Sequence, residues 1–246
     1  MSGMQERSAA IIVIGNEILT GKSEDQNARL LIKELHQLGV ALQRIVMIPD
    51  DIEEIAKTVG EAAARFDFVF TSGGVGPTHD DMTIEGVARA FARTVVRHPQ
   101  LEAMLRGYFK EETDEARLRM ADVPEGSSLL YDNGLRWPVL MIENVYVLPG
   151  VPEHFRSKFE AIRERFRAAP FFGAVIYTNE DEFDIAGRLN EVAAQHAEVE
   201  IGSYPNFGTE DHRVKITIES KEAAGVERVR AALLERLDAA QIVRVE

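Results

Sequence analysis

Phe68-Val69-Phe70-Thr71-Ser72-Gly73-Gly74-Val75-Gly76-Pro77-Thr78-His79-Asp80-Asp81-Met82-Thr83 carries an apolar run into a glycine-rich turn and out into a helix. Phe68–Ser72 reads as a buried strand, and Ile84, Val87, Ala88 and Phe91 follow at helical spacing. Glycines at the end of a strand let backbone N–H groups approach an anion closely, and the positive end of the next helix adds to the same spot. Phosphate is the natural guest. Two adjacent carboxylates, Asp80 and Asp81, would repel it unless a divalent cation or protonation intervened, so the stretch suggests a phosphorylated ligand held with a hard metal such as Mg²⁺. The plainer reading is a tight strand-to-helix turn with Asp81 as the helix N-cap.

Upstream, Ala9–Ile14 is a near-continuous apolar run, as expected of a central parallel strand. Ser23 and Gln26 have capping-box spacing and open a helix with Leu31, Leu35 and Leu38 on one face, stopped by Gly39. Ala41–Ile48 reads as a second strand. Asp51 and Glu54 repeat the capping-box spacing before the stripe Ile52, Ile55, Ala56, Val59, Ala63 and Phe66. Strand, helix, strand, helix, strand in short succession predicts a parallel sheet covered on both faces.

Downstream, residues 98–121 are rich in charge and helix formers, with Leu101, Met104, Leu105 and Phe109 spaced for one face. Ser127–Tyr131 and Val139–Ile142 flank Asp132-Asn133-Gly134 and suggest a hairpin. Val145–Leu148 is a further strand, and Phe155, Phe159, Ile162 and Phe166 form a core stripe on the helix after it. Ala168-Ala169-Pro170 looks like a boundary, dividing a domain over 1–168 from a smaller α/β domain over 169–246. The order β-α-β-β-α-β in the second suggests a ferredoxin-like or KH-like open sandwich with helices on one face.

A formal net charge of −13 argues against a nucleic-acid or anionic-membrane binder, yet a local nest of N–H groups can hold a small anion despite it. With no cysteine there is no disulfide frame or thiol nucleophile, which fits an intracellular, cytoplasmic home. No apolar run of signal-peptide length follows Arg7, and none is long enough to span a bilayer. Gly15-Asn16-Glu17-Ile18-Leu19-Thr20-Gly21-Lys22-Ser23 nearly spells a P-loop, but five residues stand where the motif requires four, and Glu17 would face the phosphates. The spacing of Gly73, Gly74 and Gly76 does not fit a dinucleotide fingerprint either. Of the six histidines only His79 sits beside the glycine turn, and none has metal-type pairing.

Several motifs in order resemble the molybdopterin-binding (MoaB/Mog-like) domain: Gly15-Asn16-Glu17-Ile18, then Gly21, Asp25 and Asn27, then Pro49-Asp50, the glycine turn itself, and Leu148-Pro149-Gly150-Val151-Pro152. Asp80-Asp81 and a long connecting helix look like the CinA branch. The second region, with Gly202-Ser203-Tyr204-Pro205, looks like the non-catalytic N-terminal part of eukaryotic FAD synthases. The resemblance covers essentially the whole chain and implies a three-layer α/β/α domain with a ligand groove at the C-terminal ends of the strands. No stretch resembles the deamidase domain of CinA proteins or the adenylyltransferase domain of FAD synthases, so neither activity is expected of it.

In that superfamily some members bind or adenylylate molybdopterin, the CinA branch hydrolyses ADP-ribose, and the FAD synthase relatives hydrolyse FAD with a metal. Asp80 departs from the adenylylating pattern, where a basic residue tends to precede the equivalent of Asp81, and so favours metal-assisted hydrolysis of a nucleotide diphosphate. The alternatives are molybdopterin binding or adenylylation in molybdenum cofactor biosynthesis, or a non-catalytic binding module. The resemblance and the chemistry together assign the diphosphate to the N–H groups of Gly73, Gly74 and Gly76 and the hydroxyls of Thr71, Ser72 and Thr78. Asp50, Asp80 and Asp81 are expected to coordinate the divalent ion, and Glu17 to orient the water or a ribose hydroxyl. Asn16, Asp25 and Asn27 are expected to hold the ribose or ring, with helix-start hydrogen bonding as the alternative for Asp25 and Asn27. Pro149 and Gly150 complete the groove. No aromatic cluster marks the first-domain loops, so Tyr204, Pro205, Asn206 and Phe207 are assigned the planar part of the ligand. A homo-oligomer is expected, with residues 169–246 contributing interface or shaping the groove.

Overall fold

The first apolar run becomes β1 (Ser8–Ile14), whose alternating side chains serve two different cores. The computed structural model describes residues 7–208 and 211–246. After β1 come α1 (Asn16–Leu19), α2 (Asn27–Gln37), β2 (Ala41–Ile48), α3 (Ile52–Arg65), β3 (Phe68–Ser72) and α4 (Thr83–Ala90). A short ribbon of β4 (Val95–Arg97) and β5 (Asp122–Pro124) brackets α5 (Pro99–Phe109) and α6 (Glu115–Leu118). Then follow β6 (Ser128–Leu130), β7 (Val139–Ile142), β8 (Val145–Leu148) and α7 (Pro152–Ile162).

The main sheet has the order β2-β1-β3-β8-β7-β6. Its first four strands are parallel, and β7 and β6 are antiparallel additions at one edge. Ile12 and Ile14 pack with Val69 and Val147 against Ile55 and Val59 of α3, Val87 of α4 and Leu101 of α5. Ile11 and Val13 pack with Phe70 and Leu148 against Leu31 and Leu35 of α2 and Phe155 and Phe159 of α7. The result is a three-layer α/β/α domain with a mostly parallel sheet. Phe70 anchors the second core: its ring stacks on Tyr146 at 5.5 Å and meets Phe166 and Phe159 edge-on at 5.0 and 5.8 Å. Burying one such ring stabilises the fold by about 1.5–3 kcal/mol.

Local chemistry sets the element ends. Asp51 caps α3 by accepting from the Glu54 N–H at 2.9 Å. The Asn144 amide, in the β7–β8 turn, donates to the carbonyls of Ala63 and Phe66 at 3.0 and 2.7 Å, where α3 ends. Two expectations need correcting. The start of α2 uses no Ser23–Gln26 capping box; Asp25 accepts from the N–H groups of Asn27 (3.2 Å) and Ala28 (3.1 Å). The connecting region is not one long helix either. It breaks after Phe109, where Lys110 takes a positive φ of 52°, and restarts with Asp114 capping Arg117 N–H at 2.8 Å.

Contacts between residues divide the chain into two units, Met1–Ala168 and Ala169–Glu246. The second contains β9 (Phe172–Thr178), α8 (Glu182–Gln195), β10 (Glu200–Pro205), β11 (Val214–Ser220), α9 (Ala223–Leu234) and β12 (Ile242–Val245). Its antiparallel sheet runs β10-β11-β9-β12, the split β-α-β order of ferredoxin-like folds. Val214, Ile216 and Ile218 alternate inward to meet Ile185, Leu189 and Val192 of α8 and Val226, Val229 and Leu233 of α9. Among the described residues, no helix is long and apolar enough to cross a membrane.

Candidate functional site

β1 is followed by a crossover to β2 on one side, and β3 lies on its other side, so the strand order reverses between β1 and β3. In open α/β sheets a crevice forms at that switch point, beyond the carboxyl ends of the strands. The glycine turn sits there. Gly73 has φ +107°, and a Cβ on it would lie 2.1 Å from the Ile14 carbonyl oxygen. Gly74 has φ +63°, and its Cβ would lie 2.4 Å from Thr83 Oγ1. Any other residue is excluded at both positions by backbone conformation and by space. The buried Thr83 locks the pair: its hydroxyl donates to Gly73 O at 2.8 Å and its N–H to Gly74 O at 3.0 Å.

Gly73 is not a phosphate donor, because its N–H is spent on Leu148 O at 3.2 Å, prolonging the β3–β8 pairing. The N–H groups of Gly74, Val75 and Gly76 donate to no protein group among the described residues. α4 begins at Thr83, seven residues after Gly76, and its N-cap Met82 supplies no side-chain hydrogen bond. With the Thr83 N–H taken by Gly74 O, the N–H groups of Ile84 and Glu85 have no protein partner among the described residues. Asp81 is therefore not the N-cap. Its Oδ2 accepts instead from the Thr78 N–H (2.8 Å) and hydroxyl (2.5 Å), folding the carboxylate back over Gly76.

The expected metal ligands are not gathered together. Asp81 lines a groove of about 2110 Å³ that opens at the carboxyl ends of the strands, whereas Asp50 and Asp80 are not among its lining residues. Asp50 accepts from the Asn16 N–H at 2.8 Å and so fixes the start of α1. Asp80 is exposed, its carboxylate 3.9 Å from the exposed His79 ring. Among the described residues, no group of three or more His, Asp or Glu side chains is placed to hold a metal ion.

Glu17 lines the groove with its carboxylate against Gly15, where a Cβ would lie 2.5 Å from Oε1. Asp25 lines it too, but as the start of α2 its carboxylate is occupied with backbone N–H groups. Asn27 is buried, and its amide donates to Ser72 Oγ and Gly150 O, both at 2.8 Å, tying three loops together. Both residues line the groove while they also serve the start of α2 and the scaffold around it. Ser72, Pro149 and Gly150 line the groove; Asn16 and Thr78 do not. Thr71 faces the core, wholly buried, with its hydroxyl unpartnered.

Sequence reasoning missed the other wall. Arg136 and Trp137, from the loop before β7, and Lys158 of α7 all line the groove. The first-domain loops hold no aromatic cluster here, but they do bring one ring, Trp137, to the groove. The Lys158 ammonium donates to the carbonyls of Trp137 (2.8 Å) and Pro138 (2.6 Å), and burial pushes its pKa down to about 8. No local pattern marks these residues, because their position depends on β7 running against β8.

Residues 10–168 match a family described as a probable molybdopterin binding domain, and residues 170–246 match the middle domain of FAD synthase. A probable FAD synthase of Caenorhabditis briggsae is 36% identical over 262 aligned positions, covering 95% of this chain and 50% of that protein. The chain thus spans about half the length of that relative. A protein of Archaeoglobus fulgidus is 41% identical over 198 positions, covering 80% of this chain and 86% of its own. Among solved structures, the protein CinA of Thermoplasma acidophilum, described as of unknown function, is 30% identical with a TM-score of 0.60, covering 65% of this chain and 98% of that one.

Proposed function

The chain belongs to the molybdopterin-binding domain family, and from that premise we propose that its groove binds a nucleotide diphosphate ester of the ADP-ribose or FAD type and hydrolyses the diphosphate. The observation that carries the reading is the run of N–H groups from Gly74 to Gly76 that have no protein partner among the described residues, beside Asp81 at a sheet switch point. Such a run, together with the Ile84 and Glu85 N–H groups at the start of α4, suits phosphoryl oxygens.

A dedicated protein cage for a metal does not fit the dispersed carboxylates, but Mg²⁺ needs none. It is commonly held by one or two carboxylates with substrate phosphates and water, and Asp81 would supply that carboxylate, with exposed Asp80 beside it. Bound there, the ion would neutralise charge on the diphosphate and acidify a water. The chain's own groups do the rest. Gly74, Val75 and Gly76 hold the phosphoryl oxygens, and Glu17 accepts a hydrogen bond from the attacking water or from a ribose hydroxyl. The water oxygen bonds to one phosphorus as the bond to the bridging oxygen breaks. Two phosphomonoesters result: AMP with ribose 5-phosphate from ADP-ribose, or AMP with FMN from FAD.

The test is release of AMP from ADP-ribose and from FAD with Mg²⁺ and with excess chelator. Hydrolysis only with metal supports the reading; undiminished hydrolysis in chelator removes the metal, and no hydrolysis of either compound removes the activity. Asp81→Asn keeps an oxygen for the Thr78 N–H, so the fold should survive while turnover drops by roughly a hundredfold or more. Unfolding of that variant would instead assign Asp81 to holding the turn. The family description of residues 10–168 supports a second guest, molybdopterin. Calorimetry decides between them: tight molybdopterin binding with no affinity for ADP-ribose or FAD would reverse the order.

A further inference from the structure

Trp137 is the one tryptophan in the chain, and it lines the groove only partly buried. Sheet order fixes where it stands. β7 lies two strands from β3, and because it runs antiparallel to β8 its first residue, Val139, is at the edge where β8 ends. Adjacent strands are about 4.8 Å apart, so the segment leading into β7 sits roughly 10 Å along that edge from the glycine turn. Lys158 holds this segment. Among the described residues its ammonium has no carboxylate within ion-pair range, and it donates to the carbonyls of Trp137 and Pro138 at 2.8 and 2.6 Å. A half-buried ammonium bonded to two consecutive carbonyls makes the backbone at Trp137 rigid.

We propose that Trp137 is the base-stacking residue of the groove, carrying the planar ring of a nucleoside diphosphate ester whose phosphates lie on the Gly74–Gly76 amides, with Lys158 as the positioning residue beneath it. The inference rests on the nucleotide reading of the groove and adds the residue that recognises the base. Stacking a base on an aromatic side chain corresponds to roughly 5- to 150-fold in affinity and tolerates any planar ring. A preference for base-bearing diphosphates over bare ones follows, without strong choice among bases.

A single tryptophan makes the test direct. The full chain is titrated, with Mg²⁺ present, with α,β-methylene-ADP, whose bridging carbon blocks hydrolysis, and with methylenediphosphonate, which has no base. The nucleotide should quench the Trp137 emission along its calorimetric binding curve, and the diphosphonate should bind with little quenching. Trp137→Leu should lose tenfold or more in nucleotide affinity at unchanged diphosphonate affinity, and Trp137→Phe should recover most of the loss. Lys158→Met should shift the ligand-free indole emission to the red and weaken nucleotide but not diphosphonate binding. Equal nucleotide affinity in wild type and Trp137→Leu overturns the stacking role while leaving the nucleotide site standing. If neither compound binds the wild type, both readings fall. If Trp137→Leu loses both ligands through misfolding, the wild-type emission decides, and nucleotide binding without quenching overturns the proposal.

Discussion

Gly74 shows how little freedom a phosphate nest leaves to individual residues. A methyl group there would meet the Thr83 hydroxyl at 2.4 Å on a backbone of φ +63°. Gly74→Ala is therefore expected to cost about 1–3 kcal/mol from the left-handed conformation alone, more with the displaced Thr83, and to abolish diphosphate binding. Urea unfolding and calorimetry on the same variant check both halves. Lys158 gives a prediction in pH. Burial depresses its folded-state pKa to about 8, below its unfolded value, so the charged form is disfavoured in the fold. Above the unfolded value that penalty is absent; it grows as pH falls from there towards about 8 and is complete below it. Between pH 7 and pH 10 the wild type should thus gain about 1–3 kcal/mol over Lys158→Met, read from denaturant midpoints at the two pH values. The neutral amine keeps two N–H groups, so the carbonyls of Trp137 and Pro138 remain partnered throughout.

At the scale of elements, α3 is held by side chains at both ends, and its C-terminal end depends on a residue from another element. Asn144→Ala would leave the Ala63 and Phe66 carbonyls without their amide partner and is expected to cost about 1–3 kcal/mol, visible as a lowered unfolding midpoint with an unchanged slope. This contact also marks where the sequence stops being readable. The N-terminal cap of α3 was legible because Asp51 and Glu54 are three residues apart. The C-terminal cap joins residues 78 and 81 positions apart, and no spacing announces it. The same divide runs through the candidate site. The glycine turn announces itself because strand, turn and helix start are contiguous. Trp137 and Lys158 do not, since their nearness to it depends on the pairing of β7 with β8 and on the packing of α7. Asp25 is a third case: at a helix start, a carboxylate that caps and one that binds look alike in sequence, and here the capping carboxylate also lines the groove.

For the whole molecule, the second unit leaves Phe183 and Phe207 almost fully exposed, at 90% and 95%, with Tyr204 half exposed. Rings so placed suit burial against another surface, and a homo-oligomer is the proposal they bring to a test. Light scattering at micromolar concentration should give more than one chain's mass, and Phe183→Ser or Phe207→Ser should lower it; a monomeric wild type would count against the assembly. The sheet order carries a further consequence, for inheritance. The glycine turn follows β3, a strand walled in by neighbours on both sides, so almost any change there is felt by the core. The Trp137 loop joins β6 and β7 at the open margin, where a hairpin can lengthen, shorten or exchange its tip without disturbing the parallel strands. Descendants of one ancestor could keep the phosphate-gripping half unaltered while the margin drifted toward new ring systems, so a grafted β6–β7 loop should transfer ligand preference between relatives even when the rest of the domain is left alone.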